Sequence, residues 1–258
     1  MKWYIKNMKL IDGFVMVLAV LALVIAVFKD FYTLLAGLVC GAVLILLAII
    51  SNFARKKALK EANDLYESKC NSSEAMEIAG SIYRSNPKRT AFAIDYSTVL
   101  LNSSLEHYQM VKDALNQMKS SHVPIPSPYM EACFNLGLCR VYLNEGNSVL
   151  AEEHYRKAYI AYEKITNEKE TKQIKNQLLI CLTELYILKE DIPSAKRELE
   201  SIDTDTKRRK LEAVYLEARI DLAEGKEAEA KEKLLIVSSQ ASQIALGQRA
   251  DKIINTEE

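Results

Sequence analysis

The chain has 258 residues, with 34 Lys plus Arg against 34 Asp plus Glu. That balance excludes a general nucleic-acid binder, which needs a basic excess to displace phosphate counterions. Eight Gly and five Pro are sparse punctuation and favour helices, while Cys40, Cys70, Cys133, Cys139 and Cys181 form no C-x-x-C pair and have no His at ligand spacing. They read as small core residues in a reducing compartment, not as a disulfide framework or a metal site.

Residues 10–28 and 31–50 are two apolar runs of about twenty residues, the length that spans roughly 30 Å of hydrocarbon as helix. They predict a transmembrane hairpin within residues 10–52, turned at Lys29-Asp30. Lys2, Lys6 and Lys9 in the segment 1–9, with Arg55, Lys56, Lys57 and Lys60 after the second run, place both termini in the cytoplasm. The expectation is a two-pass integral protein of a bacterial plasma membrane. Ala22 and Ala26 on the first run and Gly37 and Gly41 on the second are small-residue faces suited to transmembrane packing, either closing the hairpin or forming a homo-oligomer.

No breaker separates the second run from Tyr66, so the helix is expected to continue, with Ala58, Leu59, Ala62 and Tyr66 as its apolar stripe. A partner helix follows over residues 72–85, with Ala75, Ala79 and Ile82 inward and Pro87 beyond its end. Helical patterns at 90–101 and 103–119 complete a degenerate region, 53–120. Pro124, Pro126 and Pro128 make residues 121–128 a stiff connector, with Ser127 as cap and Pro128 as the first residue of the next helix.

The clearest pattern lies in residues 129–245. Leu136, Cys139 and Tyr142 recur on one helical face, Gly146-Asn147 break it, and Ala151, Tyr155 and Ala158 recur on the next helix. The pattern returns around Glu190-Asp191, followed by Ala195, Leu199 and Ile202, and around Gly225, followed by Ala230, Leu234 and Val237. Such pairs cannot bury their own apolar faces and need neighbours of the same kind. Residues 246–258 supply a capping helix and a polar tail.

The order aromatic or small residue, turn Gly, Ala, aromatic, Ala resembles the tetratricopeptide repeat, strongly in the last three units and weakly in the first two. The family's large aromatic near the start of the first helix is missing, Asn135 standing there, and only two turns keep Gly. The resemblance implies an all-α chain, a TPR-like α-α solenoid behind the transmembrane hairpin, that binds a protein or peptide partner in a concave groove. In the family's frame Tyr96, Arg140, Glu184 and Arg219 face that groove. The two arginines there either hold acidic groups of a peptide or form ordinary interhelix salt bridges.

No nucleophile-base pair, phosphate loop or metal-binding motif accompanies these features. His107, His122 and His154 are scattered and read as surface residues, and the run TKRRK at 206–210 reads as a solvated helix end. The sequence therefore points to a non-enzymatic, membrane-embedded interaction scaffold with no cofactor, no metal and no nucleic-acid partner. The competing reading is a structural subunit or homo-oligomer assembled through the hairpin.

Overall fold

The computed structural model describes residue 17 and residues 30–84, 108–121, 125 and 127–256. Every element among them is an α-helix: α1 (Asp30–Lys69), α2 (Ser72–Arg84), α3 (Tyr108–Ser121), α4 (Pro128–Asn144), α5 (Ser148–Tyr162), α6 (Glu168–Leu188), α7 (Ile192–Leu199), α8 (Lys207–Ala223), α9 (Glu227–Gln240) and α10 (Ala245–Thr256). The chain divides into two compact units, residues 1–64 with 74–88 and residues 65–73 with 89–258.

In the first unit, Ala58 and Ala62 of α1 and Ala75, Ile78 and Ala79 of α2 are buried, four alanines and one isoleucine at helical spacing. Leu59, grouped with Ala58 and Ala62 in the predicted stripe, is exposed instead, since it lies roughly 100° round the helix from Ala58. Val43, Ile45, Leu46, Ile49, Ile50 and Phe53 are exposed as well.

The transmembrane hairpin is corrected by the structure. Among the described residues no helix is long and apolar enough to cross a membrane. α1 is a 40-residue helix whose second half carries Arg55, Lys56, Lys57 and Lys60 and further charged residues up to Lys69, so it is not apolar along its length. The first predicted span, 10–28, lies outside the described residues apart from Val17. The two-pass bacterial plasma-membrane placement, with both termini cytoplasmic, rested on the two spans and is withdrawn with them.

The second unit is a helical repeat array, an α-solenoid. α4 pairs with α5, α6 with α7 and α8 with α9; each first helix also packs on the next first helix, and α5 and α7 pack on the first helix that follows them. The opening pair buries Leu136, Cys139, Ala151 and Ala158 together with Ile174 and Cys181 of α6, and Tyr142 and Tyr155 fill the space beside them. The periodicity that marks these residues in the sequence is thus the periodicity of the core. α4 begins as expected, with the Ser127 side chain accepting from the Met130 N–H at 3.2 Å and Pro128 in the first turn. α10, which begins one residue before the predicted capping segment, packs on α9 and α8 and ends the stack.

The three turns share one geometry. Gly146, Glu190 and Gly225 take φ of 72°, 61° and 76°. In each, the turn residue donates its N–H three residues back, Gly146 to Leu143, Glu190 to Ile187 and Gly225 to Leu222. The next residue donates five back, Asn147 to Tyr142, Asp191 to Tyr186 and Lys226 to Asp221, so the last carbonyls of each first helix are satisfied. Five residues after each turn stand Ala151, Ala195 and Ala230, all fully buried, which sets the close approach of second helix to first. The wider spacing between the first two turns comes from the lengths of α5 and α6, 15 and 21 residues, against 8 in α7.

Glu190 holds the left-handed conformation without being glycine, at a cost of roughly 1–2 kcal/mol, part of which the larger unfolded-state entropy of glycine offsets. Glu190→Gly is expected to stabilise the chain by about 0.5–1 kcal/mol, read as a higher urea midpoint at unchanged slope. An unchanged or lower midpoint would show that the Glu190 side chain contributes more than its backbone strain removes.

Candidate binding face

α8 carries Arg208, Glu212, Tyr215 and Arg219 at spacings of four, three and four, which places all four on one face. That face meets polar residues from α4, α6 and α10. At its centre Glu212 is almost wholly buried; Arg208 Nη1 donates to its Oε2 at 2.7 Å and Arg140 Nη2, from α4, to its Oε1 at 3.3 Å. Arg140 Nη2 also donates to Gln177 Oε1 on α6 at 2.7 Å. Two turns along α6, Glu184 accepts from Arg249 Nη1 of α10 at 2.9 Å.

Burial alone would raise the carboxyl of Glu212, but the guanidinium groups of Arg208, Arg140 and Arg249 outweigh it and hold its pKa down to about 2. Two of these groups also lie over aromatic rings. Arg249 sits 4.9 Å from the ring centre of Tyr215 and 5.8 Å from that of Tyr108 on α3, and Arg208 sits 5.4 Å from that of Tyr66. Arg219 approaches the same Tyr215 ring at 6.0 Å and donates from Nη1 to its hydroxyl at 3.3 Å.

The start of α8 grips a carboxylate. Thr206, the N-cap, donates its hydroxyl to Glu67 Oε2 at 2.8 Å and Arg208 Nε donates to Glu67 Oε1 at 2.9 Å. Arg209 Nε lies 3.7 Å from Oε2, and the positive end of the helix dipole adds to the attraction. The TKRRK run is therefore divided. Lys207 and Lys210 are exposed, whereas Arg208 is buried and Arg209 half-buried against acids.

Of the predicted groove residues, Tyr96 lies outside the described residues. Arg140, Glu184 and Arg219 do fall on the first helices, but in different states. Arg140 is buried in the interhelix pair with Glu212, Glu184 is paired with Arg249, and Arg219 is half-buried against Tyr215 with no carboxylate partner among the described residues. Of the small-residue packing set, Ala22 and Ala26 lie outside the described residues and Gly37 and Gly41 lie in α1. Apart from its chain neighbours and the backbone of its own helical turn, no described atom comes within 4 Å of where a Cβ would stand on Gly41.

Glu212, Tyr215, Arg208, Arg249 and Glu67 escape a reading by apolar periodicity. The signal for the α8 members is a polar and aromatic stripe at helical spacing, which becomes meaningful only once the helix is known to lie inside the array. Glu67 and Arg249 are distant in sequence and carry no such signal. His154, expected at the surface, is half-buried, its Nδ1 3.0 Å from Asn135 Oδ1 and its ring stacked 5.5 Å from that of Tyr142. His107 and His122 lie outside the described residues.

Cys70, Cys139 and Cys181 are buried free thiols and Cys133 is half-buried. The hydrogen bond between Cys139 and Cys181, with burial, pushes the Cys139 thiol well above the ordinary thiol range. Among the described residues no group of three His, Cys, Asp or Glu side chains is placed to hold a metal ion. What this face offers chemically is recognition of carboxylates by guanidinium groups backed with aromatic rings. Set against models of protein families, curated proteins and solved structures, the chain matches none of them.

Proposed function

We propose that the second unit is a protein-interaction module of the tetratricopeptide-repeat type, and that the polar face of its first helices binds an acidic segment of a protein partner. The observation that carries this reading is Arg219. It stands one turn beyond Tyr215, half-buried, with its guanidinium held by the ring and hydroxyl of that tyrosine, while the other arginines of the face are already engaged with acids. A cation positioned by an aromatic ring and lacking a counter-ion among the described residues is suited to accept a carboxylate from outside. The repeated turns and the fully buried alanines five residues after them support the family assignment.

The test presents the full chain to immobilised peptides of one length that differ only in net charge. Retention of acidic peptides, reduced at least about ten-fold by Arg219→Glu and weakened by added salt, is the expected result. Equal retention of acidic and basic peptides, or acidic binding untouched by Arg219→Glu, would remove the proposal. Arg219 makes no ion pair among the described residues, so the substitution leaves the Glu212 network in place.

A further inference from the structure

The carboxylate gripped at the start of α8 belongs to the chain itself. Glu67, in the last turn of α1, fills a site whose principal donor, Arg208, is buried, and the preceding residue, Tyr66, places its ring beneath the same guanidinium. Thr206 and Arg209 complete the grip, and Ser72 Oγ donates to the Gln243 carbonyl at the approach to α10. An aromatic ring followed by a carboxylate is thus read as a pair, the ring by the guanidinium face and the carboxylate by its edge.

The geometry points to a recognition site for a helical aromatic-acidic pair, occupied in cis by Tyr66-Glu67, which a partner segment carrying the same pair displaces. This rests on the reading of the α8 face as a binding face, and it names the partner's chemistry and the regulation of that face. Glu67 and Arg208 pair across 141 residues of chain, so occupancy is a competition between an intramolecular segment and an external one. The intramolecular segment has the advantage of high effective concentration. An external segment therefore binds the intact chain weakly and binds it more strongly once Glu67, which anchors the intramolecular segment, has been removed.

The probe is a fluorescent peptide of residues 60–73 carrying Cys70→Ser, titrated by anisotropy against the full chain and against its Glu67→Ala variant. The expected result is affinity for Glu67→Ala at least about ten-fold higher than for the wild type, and a loss of at least about ten-fold when the peptide itself carries Glu67→Gln or Tyr66→Ala. Equal affinity for the two chains, equal affinity of the native and altered peptides, or no binding to a Glu67→Ala chain with wild-type circular dichroism would each overturn the proposal. Should Glu67→Ala unfold, Glu67→Gln, which keeps the side-chain shape, takes its place.

On the wild-type chain, excess peptide is expected to speed hydrogen exchange at the amides of residues 65–73, and unchanged exchange at saturation would refute displacement. Adding Arg219→Glu to Glu67→Ala is expected to leave this peptide's affinity unchanged. Failure of acidic-peptide binding through Arg219 and failure of the Glu67 site are therefore separate results.

Discussion

Glu212→Gln is expected to destabilise the second unit by about 3–5 kcal/mol, the cost of removing one partner from a buried ion pair. Glu212 neutralises Arg208 and Arg140 directly and is also within the field of Arg249. The amide keeps the shape and one acceptor but leaves two buried guanidinium groups without their shared counter-charge. Urea midpoints at neutral pH measure the loss, and a change below about 1 kcal/mol would mean that solvent reaches this centre and screens it.

The same substitution carries a pH signature. The Glu212 pKa is lowered from 4.5 to about 2 on folding, so its contribution is fully present above about pH 4.5 and is lost as pH falls through about 2. Wild type and Glu212→Gln should differ most above pH 5, and the gap should narrow by about 3 kcal/mol toward pH 2. A gap independent of pH over that range would place the effect in packing instead of charge.

Gly247→Ala is expected to destabilise the end of the array by about 2–3 kcal/mol. A Cβ at Gly247 would stand 2.3 Å from the Ala241 carbonyl oxygen, 2.5 Å from its carbon and 2.9 Å from the Ser242 nitrogen, all of them backbone atoms of the α9–α10 turn. Backbone cannot rotate aside as a side-chain tip can. In an open helix the change from Gly to Ala would gain about 1 kcal/mol, so the sign itself is the test. Ile244, Leu246 and Ala250 beside it are fully or almost fully buried, and moving α10 to relieve the clash would also draw Arg249 away from Glu184 and Tyr215. A lower urea midpoint is the expected outcome; a higher one would show that the turn opens freely and that α10 is not locked.

The helical character of the chain, the three hairpins from residue 128 onward and their core were legible in the sequence, because each rests on local rules. Apolar residues at helical spacing define Leu136, Cys139, Ala151 and Ala158 as one face before any partner is known. Gly146 and Gly225 mark turns that require positive φ, and the separation from turn to Ala is a distance along one helix. Even the Glu190 turn could be placed, since its neighbours repeat the pattern although Glu190 breaks the glycine rule. Apolar length alone misled at the N-terminus: two runs of twenty residues predict two spans, but no described helix is long and apolar enough to be one.

What only the tertiary structure decided is which polar residues meet. Arg140 and Glu212 stand 72 residues apart, Glu184 and Arg249 stand 65 apart, and Glu67 and Arg208 stand 141 apart. A charged side chain has no periodic signature that names its partner, and in the sequence Arg140 and Arg219 look alike. Folding separates them. Stacking α4, α6 and α8 side by side brings a buried carboxylate to Arg140, whereas Arg219 lies one turn past Tyr215 and is held by an aromatic ring. Local preference follows from the order of residues along the chain, but the charge state and availability of a side chain depend on the helices packed around it.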